Sequence, residues 1–273
     1  MSSFDIEFAA VTEIGKIREK NEDNVLISSD LSLGVVADGM GGHSAGEIAS
    51  NIASLVLAET IRKINHQQLN IPPAFLPKLD LTSRKLLLAA NLANEAIFST
   101  AQTSTIYKMM GTTMTGVLLE GDIATVVHVG DSRLYLLRDN KFTQITTDHS
   151  LAMEHVRRGL LTKEEANHSR IQNVLTRAMG IKRNIEFDLL RFPIQAEDTL
   201  LLCSDGLYKG LSDGQVAQIL QQGRQTPLVR LCKHLVRCAN DNDGQDNIST
   251  VLIKILPPRK ISLKQRLKKL FSF

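Results

Sequence analysis

The 273-residue chain has no tryptophan, and aromatic residues make up only 4% of it. Its core must therefore be aliphatic, and stacking against nucleic-acid bases has little to draw on. Cysteine is scarce as well: Cys203, Cys232 and Cys238 form an odd set without a CxxC spacing. That excludes a disulfide framework and reads as reduced, structural thiols in a reducing compartment. No apolar run approaches ~20 residues, so no membrane span is expected. The opening "MSSFDIEFAA" lacks the basic-then-apolar order of a signal peptide. Together these features predict a cytoplasmic protein.

Acid is missing from one stretch. Between Pro257 and Phe273 lie Arg259, Lys260, Lys264, Arg266, Lys268 and Lys269 with no carboxylate side chain, and taking those six from a net charge of +3 leaves the body at −3. The body thus offers no reason to expect a polyanion, and no nucleic-acid partner is predicted. The expected division is a globular domain over 1–256 and a basic amphipathic tail over 257–273. Leu263, Leu267 and Leu270 share one helical face of the tail. Such a segment can dock on a membrane surface or an acidic partner, or it can pack as a short helix or fray in solvent.

With 43% hydrophobic and 22% charged residues, the composition is that of an ordinary globular chain. Phe4, Ile6 and Phe8 alternate as in a strand, and "NVLIS" and "LGVVAD" are short β-branched runs. Apolar residues from Ala45 to about Asn65, and from about Thr82 to Ala101, recur at helical spacing. Residues 113–145 read as three or four strands with tight turns at Glu120-Gly121-Asp122, Gly130-Asp131 and Asp139-Asn140. Asp148 to Gly180 reads as irregular helix, with Thr162 and Glu165 spaced as a capping box. "DTLLLCSDGLY" reads as a buried strand ending at an aspartate. "LSDGQVAQIL" and "PLVRLCKHLVRCAN" read as helices, and "NISTVLIKIL" as a last strand. Hairpins dominate the middle, which predicts an α+β layered fold of antiparallel sheets with helices outside.

The stretch "VVADGMGGHSAGEIAS", Val35 to Ser50, poses the functional question. A dinucleotide fingerprint would need glycine where Ser44 stands, and Asp38 would repel pyrophosphate. Gly42-His43-Ser44-Ala45-Gly46 fits the nucleophile-elbow pattern, but an elbow follows its strand directly, and too little chain precedes Ser44 to build the preceding sheet. The remaining chemistry is a carboxylate that holds metal. Glu22 and Asp23 precede a strand, Asp38 ends one, Asp131 lies in a turn, Asp205 ends another strand and Asp246 precedes the last. Any single Asp-Gly is most simply a turn. Two that each follow a buried apolar run, "VVADG" and "LLCSDG", suggest convergence. Converging carboxylates in a low dielectric need cations or raised pKa values. An all-oxygen donor set favours a hard ion such as Mg²⁺ or Mn²⁺.

Seven stretches occur in order: "GKIREKNEDN", "VVADGMGGHSAGEIAS", "GTTMTGVLL", "HVGDSRLYLLRDNKFTQITTDHS", "LTRAMG", "LLLCSDGLY" and "DNDGQDNISTVLI". From about residue 5 to 255 the chain resembles the bacterial branch of the metal-dependent Ser/Thr protein phosphatases, the PPM or type 2C class. The resemblance implies a four-layer α-β-β-α sandwich, two antiparallel sheets flanked by helix pairs. It also implies two Mn²⁺ or Mg²⁺ ions per chain, with a third, weaker one. Asp38 would bridge the two ions, with the Gly39 carbonyl completing one shell. Asp205 and Asp246 would hold the other ion, and Glu22 or Asp23 would act directly or through waters. Asp131 with Asp205 matches the weaker third site. Arg18 matches the phosphate-binding arginine; taken alone, it reads as a salt-bridge partner of Glu22 or Asp23. The implied reaction is hydrolysis of phosphoserine or phosphothreonine on proteins by a water activated between the ions, reversing a cognate Ser/Thr kinase. Relatives with histidine directly after Asp-Gly have a proton donor there; this chain has Met40, which leaves His43 or a water on a metal for that role. The rival readings are a binding module that has lost turnover and a hydrolase using Ser44.

Overall fold

The computed structural model describes residues 4–41, 45–73, 75–76, 78–167 and 169–258. The expectations for His43, Ser44 and the tail from residue 259 onward fall outside them. The predicted N-terminal strand is β1 (Asp5–Glu13), followed by β2 (Asp23–Ser28) and β3 (Leu33–Met40). Helices α1 (Ala45–Asn65) and α2 (Leu81–Ala101) come next; Asp80 caps α2 by accepting from the Ser83 amide. The hairpin region supplies β4 (Gly111–Thr112), β5 (Met114–Glu120), β6 (Ile123–Val129), β7 (Arg133–Arg138) and β8 (Lys141–Gln144). The turn between β7 and β8 places Asp139 and Asn140 at φ 49° and 65°, the left-handed pair of a tight hairpin.

The irregular stretch that follows holds two short helices, α3 (Leu151–Arg157) and α4 (Lys163–Asn167). The capping box forms as predicted: the Thr162 amide donates to Glu165 and the Glu165 amide to Thr162 Oγ1. Strand β9 (Asp188–Pro193) and helix α5 (Asp205–Gly210) are elements the sequence reading lacked. Strand β10 (Thr199–Cys203), helices α6 (Asp213–Gln222) and α7 (Leu228–Asn242) and strand β11 (Ile248–Leu256) complete the order.

Two antiparallel sheets result, one ordered β1-β11-β10-β7-β8 and the other β2-β3-β5-β6-β9 with β4 beside β3. Strand alternation sends neighbouring side chains to different layers. Val35 and Ala37 pack with α1 and α2, whereas Val36 joins Val117, Leu200, Leu202 and Val251 between the sheets. On the other side, Leu201, Cys203 and Leu252 pack with α5, α6 and α7. This is the four-layer α-β-β-α sandwich. Its core is aliphatic, as the missing tryptophan required.

Candidate metal centre

Asp38 does not end its strand. β3 continues through Gly39 to Met40, because Gly39 and Met40 pair with Thr112 and Gly111 of β4, and the Gly39 amide donates to the Glu22 carbonyl at 3.1 Å. Asp205 likewise is not a strand terminus; it is the first residue of α5. Neither Asp-Gly is a turn. A Cβ on Gly39 would lie 2.2 Å from the Gly46 carbonyl oxygen, and one on Gly206 would lie 2.1 Å from that of Asn247. The glycines are there for close approach: α1 presses on Gly39 and the 243–247 loop on Gly206.

Five elements each deliver one aspartate. Asp23 starts β2, and β2–β3 pairing sets it directly opposite Asp38. Asp131 comes from the turn after β6, Asp205 from α5 and Asp246 from the loop before β11. Asp38, Asp131, Asp205, Asp246, Glu22 and Arg18 line one cavity of about 650 Å³. The carboxylates that the sequence reading gathered do meet; Asp23 lies behind them, bonded to Ser204 Oγ at 2.7 Å.

Crowding shows in the proton affinities. Burial, then the charges of Asp23, Asp205 and Asp131, hold the Asp38 carboxyl well above its usual range. Burial pushes Asp23 up to about 7 against hydrogen bonds from Ser249 and Ser204. Burial and then Asp205 push Asp131 up to about 7. Asp205 is raised by burial, with Lys209 opposing, and Glu22 is raised by burial too. One oxygen each of Asp23 and Asp205 is buried with no hydrogen-bond partner. Unpaired buried carboxylate oxygens are costly unless something positive reaches them.

Among the described residues, no three histidine, cysteine or acidic side chains are already arranged to close on one ion. Such a cage is not needed for a hard cation that keeps several waters and takes one or two carboxylates. Orphaned oxygens, all-oxygen donors and raised proton affinities fit that kind of ion. Among the described residues, two side-chain cations pair with the cavity aspartates. Arg18 reaches Asp246 at 2.8 Å, not Glu22 or Asp23 as the salt-bridge reading expected. Lys209 pairs with Asp205 and stands 3.7 Å from Asp246.

The surrounding loops are tied in place. Asn247 accepts from the Glu22 amide at 2.8 Å and donates to the Ile14 and Lys20 carbonyls at 2.9 and 3.0 Å. It thereby clamps the segment carrying Arg18 and Glu22. Thr113 Oγ1 accepts from the Asp38 amide at 3.0 Å and lies 2.7 Å from Ser132 Oγ, and the Thr113 amide donates to the Asp38 carbonyl at 2.8 Å. Arg133 grips Asp148 through two nitrogens, 3.0 and 2.7 Å away, and lies 3.6 Å above the Tyr208 ring. Tyr208 donates to the Asp131 carbonyl at 3.2 Å. The segment from Asp148 to Gly180 contributes Asn173, Leu175, Thr176, Arg177 and Ala178 to the cavity wall. Lys209 and Arg177 escaped the sequence reading of the site. Lys209 sits four residues after Asp205, a spacing that pairs charges only on a helix, and the six residues of α5 are too few to show a helical period.

The sequence profile of the family described as Protein phosphatase 2C matches residues 18–253. The serine/threonine phosphatase stp of Listeria welshimeri is 36% identical over 247 residues, spanning 89% of this chain and 93% of that protein. The crystal structure of the Mycobacterium tuberculosis serine/threonine phosphatase PstP/Ppp superposes with a TM-score of 0.78 at 34% identity, covering 92% of this chain and 99% of that one. A structure of the PstP catalytic domain in complex with two manganese ions gives 0.76 at 33% identity, over 92% and 98% of the chains.

Proposed function

Since this chain belongs to the protein phosphatase 2C family, we infer that it is a metal-dependent protein-serine/threonine phosphatase using two Mn²⁺ or Mg²⁺ ions. The observation that carries this reading is the meeting of Asp38, Asp131, Asp205 and Asp246 in one cavity, with a carboxylate oxygen of Asp205 buried and unpaired. Asp38 would stand between the ions with the Gly39 carbonyl completing the shell of one. Asp205 and Asp246 would hold the other ion, Glu22 or Asp23 would act directly or through water, and Asp131 with Asp205 would form a weaker third position. When bound, the ions supply charge at the phosphate and an activated water for in-line attack.

The chain's own residues do the rest. Arg18, with 52% of its side chain exposed, offers a planar, permanently charged fork to two phosphate oxygens at the mouth of the cavity. To do so it exchanges Asp246 for substrate. Asn247 keeps that arginine's loop in register with Asp246. Leu175, Ile181 and Ile185 give the mouth an apolar wall, which limits water around the seryl or threonyl group. Met40 has no proton to give to the leaving alkoxide. His43, or a water held by an ion, is proposed for that transfer.

The domain is taken as 1–256, acting on phosphorylated proteins in line with the names of its relatives, and a cognate Ser/Thr kinase is proposed as the activity it opposes. Three unpaired thiols suit a reducing, cytoplasmic setting. The six cations of 257–273 support contact with a membrane surface or an acidic partner. A hydrolase built on Ser44 is disfavoured, because the nucleophile elbow belongs to a largely parallel sheet and every strand pairing described here is antiparallel.

Hydrolysis of a phosphothreonine peptide with Mn²⁺ tests the reading. Phosphate release that chelator stops and Asp38→Asn removes supports it. Turnover that survives chelation, or none under any condition, contradicts it.

A further inference from the structure

We propose that Lys209 is a built-in counter-cation of the acidic cavity: its ammonium holds Asp205 and Asp246 when no divalent ion is there, and an ion must displace it to bind them. The inference rests on the metal-dependent reading above and adds a residue that sets ion affinity. Lys209 pairs with Asp205, lies 3.7 Å from Asp246, and keeps only 25% of its side chain exposed. Its backbone is not free to carry the ammonium away. A Cβ on the next residue, Gly210, would lie 2.6 Å from the Ala239 carbonyl oxygen of α7, and the preceding Tyr208 is pinned beneath Arg133. Helix α5 is therefore seated on both sides of Lys209, and the ammonium can leave only by rotation of its own side chain.

Charge arithmetic supports the role. Asp205 and Asp246 share Lys209 at one end, and Arg18 engages Asp246 from the other. Two carboxylates facing two cations form a nearly neutral unit. Asp38, Asp131 and Glu22 line the same cavity and draw a divalent ion in, but where that ion reaches for Asp205 and Asp246 it meets the ammonium already seated on them. Arg18 is the more exposed of the two and is needed at the phosphate. Lys209 is the one that competes directly for the same oxygens.

Mn²⁺ is titrated calorimetrically into the metal-free full chain as wild type, Lys209→Met and Lys209→Arg, and thermal unfolding is followed in chelator. The expected result is an Mn²⁺ Kd about tenfold lower for Lys209→Met, a coupling of ordinary size between neighbouring charges, with Lys209→Arg near wild type. In chelator Lys209→Met should melt lower than wild type, with the difference vanishing in saturating Mn²⁺. Should Lys209→Met not fold without metal, Lys209→Gln replaces it in the titration. An uncharged variant that binds Mn²⁺ no more tightly than wild type overturns the proposal while leaving the phosphatase reading intact. Wild type that binds no Mn²⁺ overturns both.

Discussion

Asp23 and Asp38 face each other directly across the β2–β3 ladder, Asp23 buried and Asp38 half-buried at the cavity wall. Like charges opposed on neighbouring strands destabilise a sheet, so the strand pairing itself works against the ion-free protein. Replacing Asp38 with asparagine keeps the shape and removes one charge. Asp38→Asn should lower phosphopeptide turnover by at least about a hundredfold. In chelator at pH 8 it should melt about 2–4 °C higher than wild type. Calorimetric melting alongside activity checks both; a variant less stable than wild type in chelator contradicts the charge argument.

The raised carboxyls make ion binding depend on pH in a definite direction. Asp23 and Asp131 titrate at about 7 in the folded chain and near 4 when unfolded. Between those values the folded state binds more protons. The stability these groups contribute is full at low pH and is lost as pH rises through about 7. Buried His128, depressed to about 3, acts oppositely: its contribution is lost as pH falls from about 6.5. The histidine is common to loaded and unloaded protein, so it cancels in their difference. The gain in melting temperature from saturating Mn²⁺ should therefore grow from pH 5.5 to pH 8, and binding should release protons. A gain that is flat or falls over that range contradicts the account.

Arg18 reaches the cavity from a loop whose position Asn247 sets. Losing a charge-assisted contact to phosphate costs about 1.5–3 kcal/mol. Arg18→Ala should accordingly reduce kcat/KM by about ten- to a hundredfold. Because Arg18 engages Asp246, its removal should leave Mn²⁺ affinity unchanged or tighter. Steady-state kinetics and calorimetry on one preparation separate the two effects, and a large loss of Mn²⁺ binding would show that Arg18 acts on the ions instead.

The Arg133–Asp148 pair is structural. Its side chains are only 13% and 8% exposed, and Asp148 adjoins the start of the segment that walls the cavity. Removing one member leaves a buried charge alone, at a cost of about 3–5 kcal/mol. Arg133→Met should lower unfolding stability in urea by that amount. The surface pair of Arg158 and Glu154, 3.8 Å apart, should matter by under about 0.5 kcal/mol. Equal effects at the two sites contradict this distinction.

Much of this is legible in the sequence, for identifiable reasons. Helix α1 can be read to its end because Ala45, Ile48, Ala49, Ile52, Ala53 and Val56 hold one helical stripe. The cavity aspartates stand out because two of them follow apolar runs buried on both faces. The reason for their glycines is not legible: the close approach of Gly46 to Gly39 and of Asn247 to Gly206 joins residues that only the tertiary fold brings together. Strand β9, "DLLRFP", is a partly exposed edge ending in proline, with no alternation to betray it; its pairing with β6 supplies what propensity does not. Helix α5 spans six residues, too few to show a period, and with it Lys209 stays hidden.

The central claim, that these aspartates form one site for a pair of divalent ions, is tested most directly by anomalous diffraction from Mn²⁺-soaked crystals at the manganese edge. The account predicts two peaks beside Asp38, about 3.5–4 Å apart, one of them also beside Asp205 and Asp246. Peaks elsewhere on the chain, or none at Asp38, would contradict it.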